Sequence, residues 1–151
     1  MLRLATCPRW SYTTTVRCER SGVVLARLSG DARVRVEASG GVTVEEAGVW
    51  ESSSPGLPAV GTRATTRWRC RACEGDGVRW RVEHLRRARP THLLDLEQDS
   101  PGRWVSVVPH PCAEDTYELE ADTTDPDGVT LAWTVRGPEK AHVLTTRYTP
   151  A

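Results

Sequence analysis

The stretch Asp31-Ala32-Arg33-Val34-Arg35-Val36-Glu37-Ala38-Ser39-Gly40-Gly41-Val42-Thr43-Val44-Glu45-Glu46 decides the fold class. Ala32, Val34, Val36 and Ala38 alternate with Asp31, Arg33, Arg35 and Glu37, the period-two pattern of a strand with one buried and one wet face. Ser39-Gly40-Gly41 is a turn signal. Val42-Thr43-Val44-Glu45-Glu46 resumes the strand pattern, so the two segments pair as a hairpin.

The same grammar repeats outward from this hairpin. Upstream, Arg9 to Arg17 is rich in aromatic and β-branched residues and reads as a first strand, and Val23 to Leu28 leads through Ser29-Gly30 into the hairpin. Downstream, Glu51 to Gly61 is a long Ser-, Pro- and Gly-rich loop that caps one end. Ala64, Thr66, Trp68 and Cys70 then alternate with Arg63, Arg67, Arg69 and Arg71, a strand with a cationic outer face. After the turn Glu74-Gly75-Asp76-Gly77, Val78, Trp80, Val82 and His84 share one side. Leu85 to Ala88 is the one helical turn expected, ended by Pro90. Thr91 to Glu97 puts His92 with Leu94 and Leu96, and Trp104 to Val108 is the next strand. Asp115, Tyr117, Leu119 and Ala121 share one face of Glu114–Ala121; Val129, Leu131, Trp133 and Val135 form another, and Ala141 to Tyr148 is the last strand.

Roughly eight to ten short strands with essentially no helix predict an all-β single domain over residues 1–151, an antiparallel up-and-down barrel. Closure removes the exposed edges of a meander and leaves a lumen. Composition sets the other bounds. Lys+Arg and Asp+Glu number 20 each, a net charge of zero that argues against nucleic acid or an anionic membrane as partner. Phe, Ile and Asn are absent and Lys140 is the single lysine, a bias expected of a GC-rich bacterial genome. Six Trp and three Tyr therefore supply all the aromatic packing. No apolar run approaches the ~20 residues of a membrane span, and the five Cys are odd in number and irregular in spacing, so the expectation is a reducing, cytoplasmic setting without a disulfide framework.

Chemically capable side chains concentrate in Pro109-His110-Pro111-Cys112-Ala113-Glu114-Asp115-Thr116-Tyr117. Pro90-Thr91-His92-Leu93-Leu94-Asp95-Leu96, then His110-x-Cys112-x-x-Asp115-x-Tyr117, then Trp133-x-Val135-x-Gly137-Pro138-x-Lys140 through Thr146-Arg147-Tyr148 resemble a family of small bacterial and fungal proteins known as a domain of unknown function. The resemblance covers the C-terminal half and implies a lipocalin-like or calycin-like barrel and a site, not an activity. The chain departs from that pattern at Leu93, where an aromatic often sits, and in its Cys70/Cys73 pair.

Two readings of the site stand side by side. In the first, the barrel binds a small apolar or aromatic molecule, with His84, His92, His110, Cys112, Asp115, Tyr117, Trp80 and Trp133 as contacts. In the second, a cofactor-independent cyclase, isomerase or dehydratase uses His110, Asp115 and Tyr117, with His92 beside them, for acid–base work in an apolar lumen whose desolvation favours neutral Asp115 and neutral His. The bland alternative leaves the same residues as turn caps and barrel lining. Cys70-x-x-Cys73 with His110-x-Cys112 is a weak zinc alternative, and His84 or His142 a remote haem ligand. No phosphate loop, nucleophile elbow or metalloprotease helix motif occurs, and no cofactor is called for. An interaction module using the arginine face of residues 63–71 is a third class. Trp10 and Arg147 are expected to stack and close the barrel floor.

Overall fold

The computed structural model of the chain describes residues 2–75, 79–86 and 89–151. A short 3-10 helix (Leu2–Thr6) precedes, among the described residues, eleven strands: β1 (Arg9–Cys18), β2 (Val24–Val36), β3 (Val42–Ser53), β4 (Arg63–Ala72), β5 (Arg79–Arg86), β6 (Arg89–Ser100), β7 (Arg103–Ser106), β8 (His110–Cys112), β9 (Asp115–Asp122), β10 (Val129–Arg136) and β11 (Ala141–Pro150). Strands β1 to β7 pair in sequence order, β7 pairs with β9, and β9, β10 and β11 follow until β11 returns to β1, all antiparallel. The result is the expected up-and-down barrel, closed by ten strands, with β8 an extra strand on β9. No helix among the described residues is long and apolar enough to cross a membrane.

The deciding hairpin forms as read: Glu37 and Gly41 close the turn, and Gly40 takes φ +82°, a conformation glycine adopts without a side-chain penalty. Val36 is nevertheless 60% exposed, because β1 begins at Arg9 opposite Arg33 and leaves Val36 without a neighbouring strand on that side. Ala38, in the turn, is exposed as well. Leu85 and Arg86 belong to β5 rather than to a helical turn; Arg87 and Ala88, like Asp76, Gly77 and Val78, lie outside the described residues.

Two irregularities place the later elements. In β6, Leu94 pairs with Val82 but His92 pairs with Glu83, so Leu93 is an inserted bulge residue and the side-chain alternation reverses across it. Between β7 and β8 the ladder is interrupted, and the Ser106 hydroxyl fills the break: Leu119 N–H donates to Ser106 Oγ (2.9 Å), which donates to Leu119 O (3.2 Å).

The barrel interior has two halves. One end holds the 3-10 helix, the β2–β3 and β9–β10 turns and the chain terminus, and is packed solid around Leu4, Trp10, Val44, Cys70, Val82 and Leu96. Trp10 is its floor: 1% exposed, its Nε1–H donates to Cys7 O (2.8 Å) and Leu4 O (3.2 Å). Arg147 does not stack on it. With Thr146 and Tyr148 turned inward, Arg147 lies on the outer wall opposite Thr13 and pairs with Asp125 at 2.5 Å.

The arginine face of β4 is likewise an outer wall matched by carboxylates. Arg67 meets Glu45 (3.3 Å), Arg69 meets Glu83 (2.6 Å), and Arg71 lies 3.4 Å from Glu83. Arg67, Arg69 and Arg71 thus meet carboxylates of their own sheet, which lowers the net field they offer an acidic partner.

Candidate functional site in the open half of the barrel

Toward the other end the inward-facing side chains are less completely buried. Leu28 stands opposite buried Thr14 on one side and Trp50 on the other; Trp133 stands opposite buried Leu119 and opposite Leu144; Tyr117 stands opposite buried Val135. Cross-strand partners share a sheet face, so all of these side chains point into the barrel. Yet Leu28, Trp50, Tyr117, Trp133 and Leu144 remain partly exposed. Apolar side chains that face inward but still meet solvent describe a cup, whose aromatic walls are suited to a flat or apolar guest.

The β4–β5 ladder stops at Trp68–His84 and the β6–β7 ladder reaches only Leu96, extended by Val107 N–H to Asp95 O, so among the described residues Leu85 and Arg86 have no β4 partner and residues 89–94 have no β7 partner. Ala64 and Thr66, on the lumen side of β4, have no β5 partner, and Thr66 is exposed.

Glu46 forms the polar floor. Its place in the series Val42, Val44, Glu46 turns it inward, opposite Ala32 and Thr66. Its Oε1 accepts the Tyr148 hydroxyl and the Trp68 indole N–H (3.2 Å). Burial pushes the Glu46 carboxyl above the usual range, an effect opposed by those two hydrogen bonds. Tyr148 is 1% exposed, and burial, followed by the nearby Glu46 charge, raises its phenol well above the ordinary value. Burial and the same charge push Tyr12 up to about 12. Both phenols are therefore O–H donors at neutral pH. Tyr12 lies beside Tyr148, ring centres 6.0 Å apart, and fits because Gly48 lacks a side chain: a Cβ there would be 2.5 Å from the Tyr12 hydroxyl. Thr14 and Thr146 share a hydrogen bond of 2.7 Å beside this group.

The residues singled out from sequence fall into groups, with His110, Cys112, Asp115 and Tyr117 together on the β8–β9 hairpin. Tyr117, Trp133 and His84 lie on the lumen side; burial, then Arg86, lowers the His84 imidazole, keeping it neutral near pH 7. His110 sits at the rim with its ring centre 6.4 Å from that of Tyr117. His92 is turned to the outer wall by the Leu93 bulge and bonds Asp95 at 3.0 Å through Nε2. Asp115 is tied by its carboxylate to Lys140 (2.8 Å) under the β10–β11 turn, where Gly137 leaves room for it. Thus His92 leaves the expected four-residue polar cluster, while His110, Asp115 and Tyr117 stay together on the β8–β9 hairpin. Trp80 packs edge-on against Trp104 in the solid half, ring centres 6.5 Å apart, and Cys112 is exposed at the β8–β9 turn.

Cys70 is buried in the core, its thiol pushed up to about 12 mainly by burial, and Cys73 lies at the β4–β5 turn of the solid end. His110 and Cys112 are at the opposite rim, so the four do not converge as metal ligands. Among the described residues no group of three or more His, Cys, Asp or Glu is placed to hold a metal ion.

The floor of the cup was missed in the sequence although its signal was present. Counting on from Val42 and Val44 puts Glu46 and Trp50 on the buried face, and of the doublet Glu45-Glu46 one member must turn inward. Tyr12 and Tyr148 belong to the first and last strands read from sequence; only the register Tyr12–Tyr148 and Gly30–Gly48 unites them with Glu46.

Closed up-and-down strands, a plugged floor and an aromatic cup define a lipocalin-like barrel with a lumen on one side. A solved structure of the same fold is the S-type phycobiliprotein lyase CPES from Guillardia theta, with a TM-score of 0.69 over 97% of this chain and 88% of that one at 6% identity. No curated protein matches the chain in sequence. The chain belongs to a family of unknown function, DUF6314, whose model matches residues 7–150.

Proposed function

We propose that this protein binds a small, largely apolar or aromatic molecule in the open half of its barrel. The observation that supports the reading is the unequal burial of inward-facing side chains along the barrel. One half holds side chains sealed to within a few per cent, such as Leu4 at 0% and Leu96 at 0%, while Leu28, Trp50, Trp133 and Leu144 face the same lumen and stay in contact with solvent. Burying the aromatic walls against a guest recovers apolar area at about 25 cal/mol per Å². Likeness to a lyase barrel supports the shape of the container and is silent on its contents.

Nile red, a neutral apolar dye, tests the reading by fluorescence titration. Saturable binding is expected, weakened about tenfold in Trp133→Ala and Trp50→Ala, since losing one stacked aromatic wall removes on the order of 1 kcal/mol or more. His92→Ala, on the outer wall, is expected to bind as wild type does. Absence of saturable binding, or equal affinity in all four proteins, overturns the reading.

A further inference from the structure

We propose that Glu46 is the charge-selecting anchor of this lumen, favouring a guest that carries a cationic nitrogen–hydrogen donor, an arylalkylammonium or a protonated nitrogen heterocycle, over a carboxylate of the same size. The proposal rests on the lumen-binding reading and adds to it the charge of the guest.

The two oxygens of Glu46 are not equivalent. Oε1 is held by Tyr148 and Trp68, which orient the carboxylate. Oε2 accepts no hydrogen bond from any described residue and is not among the sealed, unsatisfied atoms, so it keeps some contact with solvent. Thr66, the cross-strand partner of Glu46, is exposed and has no β5 partner among the described residues. A carboxylate oxygen partly removed from water, oriented by its neighbours and left without a partner forms its strongest hydrogen bond with a charged donor.

Among the described residues no cation faces Glu46 from the elements beside it. Tyr12 from β1, Tyr148 from β11 and Tyr117 from β9 are phenols, and Cys70 lies below in the core. His84 on β5 is neutral near pH 7; Cys18 and His142 pair at the rim of β1 and β11. Arg86 and Arg89, at the far end of the β5–β6 hairpin, are exposed. With Glu46 the one carboxylate on the floor among the described residues, an anionic guest meets repulsion where an ammonium finds an acceptor.

Three naphthalene probes of similar size decide the matter by displacement of Nile red near neutral pH: 1-methylnaphthalene, 1-naphthylmethylammonium and 1-naphthylacetate. The ammonium is expected to bind about tenfold tighter than the neutral hydrocarbon and the carboxylate more weakly than either, in line with a charge-assisted hydrogen bond. In Glu46→Gln the ammonium advantage is expected to vanish while 1-methylnaphthalene binds as before. Thr66→Lys, at an exposed position, is expected to cancel the advantage as well and serves if Glu46→Gln does not fold. If 1-methylnaphthalene displaces the dye but the ammonium shows no advantage, or keeps it in either variant, the role of Glu46 is overturned and the lumen reading stands. If neither dye nor probes bind, both fall together.

Discussion

Two glutamates one strand apart in the same barrel are pushed in opposite directions by their surroundings. Glu46 faces the lumen, where burial raises its carboxyl above the ordinary 4.5 despite two hydrogen bonds. Glu83 faces the outer wall, 6% exposed; burial raises it too, but Arg69 and Arg71 outweigh that and hold it below 4.5. The folded protein therefore binds more protons than the unfolded chain at Glu46 and fewer at Glu83, with opposite consequences for stability. The Glu83 contribution is fully present above 4.5 and is lost as pH falls through its lowered value. The Glu46 contribution falls as pH rises from 4.5 through its raised value. Glu83→Gln is expected to cost about 1–3 kcal/mol at neutral pH, because it strips the charge that faces two arginines, and the deficit should narrow in acid. Glu46→Gln should do the reverse, gaining on wild type as pH rises from acid to neutral. Melting curves across that range check both, and parallel profiles for the two variants would contradict this assignment of faces.

At the scale of elements, the departures from regular alternation carry most of the information about the site. Sequence periodicity recognises strands but cannot see an inserted residue, because a bulge is chosen by the partner strand as much as by its own. Leu93 is such a residue, and it moves His92 from the predicted cup to the outer wall while leaving Leu94 and Leu96 inside. Ser106 is a second case: its hydroxyl stands in for a missing strand residue between β7 and β9 by bonding both backbone groups of Leu119. Ser106→Ala leaves those groups without a partner and is expected to lower unfolding free energy by about 1–3 kcal/mol, read from urea midpoints at unchanged slope. Ser106→Thr retains the hydroxyl and should recover most of the loss. Equal midpoints for wild type and the alanine variant would show the break to be filled by something else.

For the molecule as a whole, closure depends on a plugged floor, and the plug is local. Trp10 is capped by the carbonyls of Leu4 and Cys7, and Arg3 extends the short helix across to Thr123 O at 3.1 Å and to Pro126 O. Trp10→Ala is accordingly expected to cost about 3–5 kcal/mol, the range for large core aromatics, whereas Arg147→Ala loses one surface pair with Asp125 and about 0–1 kcal/mol. Thermal melts of the two variants check this; equal losses would restore the stacked floor expected from sequence. What the sequence by itself determined is the alternation along each strand, the glycine and proline turns between them and hence a closed antiparallel meander, because these are short-range consequences of side-chain pattern and backbone sterics. What only the tertiary structure decided is which residues meet across the barrel. Glu46 of β3, Trp68 of β4 and Tyr148 of β11 lie up to 102 positions apart, and their meeting depends on register, bulges and ring closure summed over every strand. A one-residue shift in any of these turns a side chain from lumen to solvent, so the cup's floor emerged from pairing and His92 left the site by the same physics.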